Sequence, residues 1–396
     1  MTAGVAIVGG GQAGFQTAAS LRAEGYEDPI TLICQEPHLP YQRPPLSKGF
    51  LAGKQSIEKT ELRPERFYAD HRIDLILGDR AVSIDRDERR IALASGNRVA
   101  YEKLVLATGS RVRMLAAPDA IYLRDLGHAV ELKQRIGEAS GVAVIGGGFI
   151  GLEVAAVARA LGKPVVVVEA QSRLMARVAA PEVSEFFRET HEVNGAQIAL
   201  NATAEIANGS IRLNDGALHP ADLVLAGIGV VPNVEFAREA GLAIGNGIVV
   251  DEYLRASGEN IFAIGDCADH PNPFARGRAR LESVQNAVDQ AKCVAAQILG
   301  RGGAYCAVPW FWTDQFDIKL QMAGLSGGFD RAVVRGAPES RKFSVFYFRQ
   351  GKLIAVDSIN RPADHIAARK LLATGAPITP EQAADRSFDL KSAMPE

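Results

Sequence analysis

Apolar and polar positions along this 396-residue chain follow two periods, and the points where the period changes mark its elements. Short, largely apolar runs recur at Val5 to Val8, Ile30 to Ile33, Leu104 to Leu106, Val142 to Ile145, Val165 to Val168 and Leu223 to Leu225. Runs of this length bounded by glycine predict strands buried on both faces, as in a parallel sheet. Two of them lead through glycine-rich turns into a helical period, Phe15 to Ala23 and Ile150 to Ala160. Residues 72–112 add β-runs at Ile73 to Leu77, Ala81 to Ile84 and Arg90 to Ala94. The strand that follows ends Ala107-Thr108-Gly109, and its counterpart later in the chain ends Ala226-Gly227-Ile228-Gly229. Glycine turn, β-meander and closing strand therefore occur twice, as an internal repeat. A third strand ends Gly265-Asp266, and residues 281–299 carry the apolar stripe of a helix. Beyond Val308-Pro309-Trp310 the pattern becomes aromatic (Phe343 to Phe348, Leu353 to Asp357) before a helix at Ala363 to Ala373. That change predicts a C-terminal α+β domain.

The glycine turns carry the chemistry. Gly9-x-Gly11-x-x-Gly14 and Gly146-x-Gly148-x-x-Gly151 each follow a strand and open a helix. In such a unit the first glycine makes the tight turn, the second admits a pyrophosphate, and the third packs helix on strand. The phosphates then meet free N–H groups at the positive end of the helix. Each unit leads on to a second strand with an acid at or beyond its end, Glu36 in one case and Glu169 in the other. A carboxylate there accepts ribose hydroxyls. Two such cradles in one chain predict a protein that binds two dinucleotides. Asp266 lies at a sheet's carboxyl edge, where ligands bind in α/β folds, although a carboxylate after a strand also serves as a turn residue. Between these parts, Pro40-Tyr41-Gln42-Arg43-Pro44-Pro45-Leu46-Ser47-Lys48 reads as a stiff loop presenting Arg43 and Lys48. Its proline pair is expected to keep a helix from starting before Leu46.

Composition narrows the partners. Lys and Arg number 44 against 46 Asp and Glu, a balance that favours neither nucleic acid nor a membrane surface. The longest apolar region, 141–168, is broken by Glu153, Arg159 and Lys163, so no membrane span is expected. Met1-Thr2-Ala3-Gly4 runs into the first strand, leaving no expected room for a signal peptide. Cys34, Cys267, Cys293 and Cys306 show neither C-x-x-C nor metal spacing. Isolated buried thiols in a reducing cytoplasm are the expectation. Arg276-Gly277-Arg278-Ala279-Arg280 concentrates positive charge, either as a solvated loop or as a surface for an acidic partner.

Taken together, the two cradles, Tyr41-x-Arg43-Pro44-Pro45-Leu46-Ser47-Lys48, the two Ala-x-Gly strand ends, Gly265-Asp266 and Pro309-Trp310-Phe311-Trp312 resemble a known family. It is that of the NADH-dependent ferredoxin reductases of bacterial cytochrome P450 and Rieske oxygenase systems, the putidaredoxin reductase type. The resemblance covers essentially the whole chain. It implies an α/β fold with two nested Rossmann-like dinucleotide-binding domains, as in glutathione reductase. An FAD domain (1–113 and 237–308) would be interrupted by an NAD domain (114–236), and a C-terminal α+β domain (309–396) would follow.

By the same resemblance, Gly9, Gly11, Ala13 and Gly14 meet the FAD pyrophosphate, Val82 lies near the adenine, and Asp266 reaches the ribityl chain. The Val284 N–H faces the flavin's pyrimidine edge, and Arg43, Lys48, Ala107 and Arg124 complete the FAD contacts. Relatives often carry an acid where Gln35 stands, so whether Gln35 or Glu36 meets the ribose stays open. NADH would take Gly146, Gly148, Ile150, Gly151, Gly229 and Glu169, whose carboxylate favours a ribose hydroxyl over a 2′-phosphate. Glu153, expected in the first turn of its helix, either serves the helix dipole or orients the nicotinamide in a pair with Lys48 beside flavin N5. Lys48 would also stabilise the reduced flavin. Disulfide reductases of this fold hand electron pairs to a cysteine pair that this chain lacks. Single electrons are therefore expected to leave to a [2Fe–2S] ferredoxin, docked on Arg276, Arg278 and Arg280, with Trp312 near the exit. A rubredoxin acceptor, or an apoptosis-inducing-factor-like NADH-binding role, are the alternatives. A monomer is expected.

Overall fold

The computed structural model describes residues 3–117, 119–207 and 209–394. By packing, the chain divides into two units. The first comprises 1–42, 58–111 and 231–309; the second comprises 43–57, 112–230 and 310–396.

In the first unit a five-stranded parallel sheet runs in the order Ile261–Ala263, Lys103–Leu106, Val5–Val8, Ile30–Cys34, Ile73–Leu77. The strands are apolar because helices cover the sheet. Gln12–Ala23 packs beside Val284–Ile298, and Val5, Ile7, Ile30, Leu32, Leu104 and Val105 are buried. A three-stranded antiparallel meander, Ala81–Asp85, Arg90–Leu93 and Arg98–Ala100, interrupts the parallel order where the repeat predicts one.

The second unit repeats the plan. Its parallel sheet runs Ala196–Leu200, Val165–Glu169, Val142–Ile145, Leu223–Ala226, and its meander is Ala204–Ala207, Ser210–Leu213, Leu218–Pro220. Register aligns the two cradles residue by residue. Val8 pairs with Ile33 in one sheet and Ile145 pairs with Val168 in the other. The same unit holds a five-stranded antiparallel sheet of the C-terminal segment in the order Trp310–Gln315, Ile318–Gly324, Lys352–Ile359, Lys342–Arg349, Arg331–Ala337. Phe343, Val345 and Tyr347 from that sheet share one apolar cluster with Val142, Val144 and Leu152, and Leu51 of segment 43–57 belongs to it too. Among the described residues no helix is long and apolar enough to cross a membrane.

The proline-rich segment departs from expectation. A 3₁₀ helix begins at Pro44 itself and runs to Ser47, with Arg43 as its N-cap. The first helical positions have no intrahelical N–H bond to make, so proline's missing donor costs nothing there. The thiols also differ, since Cys34 and Cys267 are buried while Cys293 is half-buried and Cys306 exposed.

Candidate functional site

Each cradle is built by three glycines doing three different things. A side-chain carbon on Gly9 would overlap the Ala107 carbonyl oxygen, and φ of +119° is itself a conformation for glycine. On Gly14 it would overlap the Gly9 carbonyl, so helix and turn pack backbone to backbone. On Gly11 it would meet nothing within 4 Å. The second cradle matches: Gly146 packs on the Gly227 carbonyl, Gly151 on the Gly146 carbonyl, and Gly148 faces open space. Gly11 and Gly148 are N-caps of their helices without a side-chain cap, so the first N–H groups of each helix are presented to that space. Both cradles thus have the room and the donors that a pyrophosphate requires.

In the first unit, Gly265 rests against Ala13, with the Ala13 methyl 3.2 Å from where a side chain would begin. Its N–H donates to Gln290 at 2.7 Å. This 3₁₀ turn, Gly265–Cys267, brings Asp266 to the cradle, where the carboxylate accepts from the Ser110 hydroxyl at 2.9 Å. The helix expected over 281–299 starts at Val284, capped by Ser283. Val284 is therefore a first-turn residue whose N–H no helical carbonyl takes. Val82 lies half-buried on the meander, and Ala107 donates its N–H to Val8 at 2.8 Å.

Register explains the uncertainty over Gln35 and Glu36. The position equivalent to Glu169 is Cys34, and a side chain on Gly10 would run into the Cys34 thiol as one on Gly147 would meet Glu169. Burial and the nearby Glu36 push the Cys34 thiol up to about 12. Gln35 is exposed, whereas half-buried Glu36 accepts from the Tyr41 hydroxyl at 2.5 Å. Cys267 is likewise raised by burial, so neither thiol is primed as a thiolate.

In the second unit, Glu169 accepts from the Gly147 N–H at 2.7 Å and the Gln171 N–H at 2.8 Å, which fixes its carboxylate at the cradle's lip. Gly229 closes that side with φ of +98°. Ile150, the residue after the first helical position, is exposed. Glu153 corrects the sequence reading. The helix begins at Phe149, so Glu153 is its fifth residue and lies past the first turn, where the dipole argument fades. Its carboxylate is 2 % exposed and accepts from Lys48 Nζ at 2.6 Å, Ser47 Oγ at 2.5 Å and Thr313 Oγ1 at 2.6 Å. The ammonium and two hydroxyls compensate a buried charge that alone would be costly.

The Arg43 guanidinium donates to the Arg124 carbonyl at 2.5 Å, bracing the loop that carries Arg124. The basic cluster makes local bonds. Arg278 binds the Val250 carbonyl at 2.8 Å and pairs with Asp269. Arg280, 10 % exposed, binds the Asp266 carbonyl at 3.0 Å and Glu282 at 2.7 Å. Arg280 is thereby covered, whereas Arg276 and Arg278 remain exposed, Arg278 at 38 % despite its local bonds. Sequence reasoning missed Ser47, Thr313 and Gln315. The one signal for the last two is their spacing of two in a strand, which places both on one face.

Comparison with known proteins agrees with this geometry. A family model described as pyridine nucleotide-disulphide oxidoreductase matches residues 3–291, and one described as reductase C-terminal matches 310–394. The chain is 50 % identical to rhodocoxin reductase of Rhodococcus erythropolis over 98 % of its own length and 94 % of that protein's. It is similar to the crystal structure of the ferredoxin reductase for the CYP199A2 system from Rhodopseudomonas palustris, at 49 % identity and TM-score 0.97 over the whole of both chains. A covalent putidaredoxin reductase–putidaredoxin complex matches with TM-score 0.95 and 38 % identity, over 99 % of this chain and 98 % of that one.

Proposed function

The chain belongs to the pyridine nucleotide-disulphide oxidoreductase family, and on that premise we propose how its residues work. It is an FAD-dependent NADH:ferredoxin oxidoreductase of the type that serves oxygenase systems. Bound FAD supplies the redox chemistry, hydride in from NADH and single electrons out to ferredoxin.

The chain's own task is to hold and orient. The N–H groups opening Gln12–Ala23 hold the FAD pyrophosphate over Gly9, Gly11, Ala13 and Gly14. Asp266 takes ribityl hydroxyls and the Val284 N–H the pyrimidine edge. Glu36 takes the adenosine ribose, because Cys34 occupies the place where the other cradle has its acid and Gln35 is exposed. In the second unit Gly148, Ile150 and Gly151 hold the NADH pyrophosphate. Glu169, already anchored by two N–H groups, turns its remaining lone pairs to the ribose hydroxyls and repels a 2′-phosphate.

The observation that carries this reading is the ion pair between half-buried Lys48 and buried Glu153, the latter on the helix that the second cradle opens. A carboxylate held by three donors is a fixed acceptor for the nicotinamide carboxamide, and Lys48 sets positive charge where the reduced flavin needs it. The chain carries no C-x-x-C or C-x-x-x-x-C pair, and Cys34 and Cys267 are buried thiols, so the electrons pass to an external one-electron acceptor. Ferredoxin docks through the exposed Arg276 and Arg278, while Arg280, bound to the Asp266 carbonyl and Glu282, keeps that segment in shape. The free cysteines suit a reducing cytoplasm. Anaerobic stopped-flow tests the reading: NADH bleaches the flavin quickly, and cytochrome c is then reduced quickly only once a [2Fe–2S] ferredoxin is added. A protein purified without flavin, or one that stays yellow under NADH, overturns it.

A further inference from the structure

Behind Glu153 lies a line of buried polar side chains that the reaction as described does not use. Thr313 and Gln315 stand on one face of the strand Trp310–Gln315 and are 0 % exposed, as is His191 near the end of the helix Pro181–Val193. Phe311, on the same face, packs tilted against Phe149 at the start of the Glu153 helix, with ring centroids 4.6 Å apart. Thr313 Oγ1 lies 2.6 Å from Glu153, Gln315 Nε2 lies 3.3 Å from Thr313 Oγ1, and His191 Nε2 lies 2.9 Å from Gln315 Oε1.

The direction of every bond in this line follows from its end. An ionised carboxylate only accepts, so the Thr313 hydroxyl proton points at Glu153. The Thr313 oxygen must then accept from the Gln315 amide, which turns the Gln315 carbonyl toward His191. His191 therefore carries its proton on Nε2. Its Nδ1 is buried without a hydrogen-bond partner, and burial holds the ring below its usual titration range, in keeping with a neutral donor. Three polar groups from two separated stretches are thus aligned, all donating toward one carboxylate oxygen. An aromatic strand that needed only to fill a core would not place Thr and Gln at fully buried positions.

We propose that Thr313, backed by Gln315 and His191, is the positioning residue that locks the Glu153 carboxylate in the orientation that aligns the nicotinamide. Ser47 and Lys48 hold the carboxylate from the segment 43–57, and Thr313 holds it from the C-terminal sheet. The carboxylate is clamped on both sides and cannot rotate when a carboxamide arrives. This inference rests on the reading of Glu153 as the nicotinamide-orienting group.

The test uses the flavin-loaded enzyme and the variants Thr313→Val, Thr313→Ser, Glu153→Gln and the Thr313→Val/Glu153→Gln pair. Two quantities are read. One is the limiting rate of anaerobic flavin reduction, separated from the Kd for NADH; the other is the long-wavelength charge-transfer absorbance of the reduced enzyme with NAD+. Losing one hydrogen bond to a charged group, Thr313→Val should lower the limiting rate about 10-fold, weaken the charge-transfer band, and leave Kd within about two-fold. Thr313→Ser should restore both. In the Glu153→Gln background, Thr313→Val should add less than about two-fold, because it acts through Glu153. A wild-type rate and band in Thr313→Val, or a full loss added on top of Glu153→Gln, overturns the proposal. Should Glu153→Gln itself behave as wild type, the role of Glu153 fails first and the clamp fails with it. If Thr313→Val does not fold, Gln315→Met serves instead: freeing the Thr313 hydroxyl to turn should cost about three-fold in rate, and no change is the refuting result.

Discussion

The cradle geometry makes one prediction that separates folding from cofactor binding, Gly148→Ala against Gly151→Ala. The two sites lie three residues apart, and the substitution adds the same methyl to each. On Gly151 the methyl would overlap the Gly146 carbonyl oxygen and lie 3.0 Å from Val144 Cγ1, and neither backbone nor buried β-branched chain can yield cheaply. Helix propensity returns up to about 1 kcal/mol for glycine to alanine, and overpacking takes roughly 1–3 kcal/mol or more. A net loss near 2 kcal/mol corresponds to a fall in Tm of about 4–8 °C for a unit of this size. On Gly148 the methyl meets nothing within 4 Å, and φ of −85° with ψ of 179° suits any residue. Its Tm should move by about 1 °C or less. The methyl would instead occupy the space over the helix's first N–H groups, and the KM for NADH should rise about 10-fold, the loss of one charge-assisted hydrogen bond. The assays are differential scanning calorimetry of the flavin-loaded protein without NADH, and steady-state kinetics across NADH concentrations. Equal Tm losses in the two variants, or an unchanged KM in Gly148→Ala, would refute the assignment of one glycine to packing and the other to ligand.

Two further predictions rest on single carboxylates. Glu169→Gln keeps the shape but removes the charge that disfavours a 2′-phosphate, so the preference for NADH over NADPH, read as a ratio of kcat/KM, should fall about 10-fold or more. Asp357 is 1 % exposed in the C-terminal sheet and accepts from the Tyr347 hydroxyl, which in turn accepts from the Ala180 N–H at 3.0 Å. Burial raises Asp357 to about 7, while the Tyr347 hydroxyl is raised as well and stays a donor. Between about pH 4, where an unfolded aspartate ionises, and pH 7, the folded chain holds a proton that the unfolded chain has lost, so stability falls as pH rises. Asp357→Asn should therefore gain stability relative to wild type on going from pH 5 to pH 8, and a constant difference in urea midpoints would contradict it.

The parallel sheets were legible because their central strands, Val5–Val8 and Val142–Ile145, are apolar throughout and each ends at a glycine that only one turn geometry explains. The repeat was legible for the same reason, down to the meanders. What local pattern could not supply is depth within an element. One residue in the start of the helix Phe149–Ala160 moves Glu153 from the first turn to the second, and with it the choice between dipole and ligand. Pro44 and Pro45 showed a break where the chain makes a 3₁₀ turn, since proline fixes φ but leaves the first helical positions open. Trp310-Phe311-Trp312-Thr313-Asp314-Gln315 carries both apolar and polar residues on each face, so alternation alone does not say which face is inside. Thr313 and Gln315 gain meaning only beside Glu153, 160 and 162 positions earlier in the chain.

Two cradles of one design must nevertheless treat their ligands differently, since a flavin has to stay while a nicotinamide has to leave every turnover. The glycines cannot make that distinction, because they are placed alike in both. The difference lies in what surrounds them. The first sheet has a fifth strand, Ile261–Ala263, beyond the four that the second sheet matches. That strand delivers the Gly265–Cys267 turn onto Ala13, and with it Asp266; the helix Val284–Ile298 then packs along Gln12–Ala23 and offers a further first-turn N–H. On the proposed reading each would add a contact to the cofactor beyond the pyrophosphate, from a group already held by its own hydrogen bonds or helix cap. In the second unit the cradle's own acid, Glu169, is anchored by the Gly147 N–H and is the proposed ribose acceptor, while Glu153, further along the helix, is held by Thr313, Ser47 and Lys48 for its proposed orienting role. Retention on one side and exchange on the other thus follow from what the chain adds to a shared nucleotide fold.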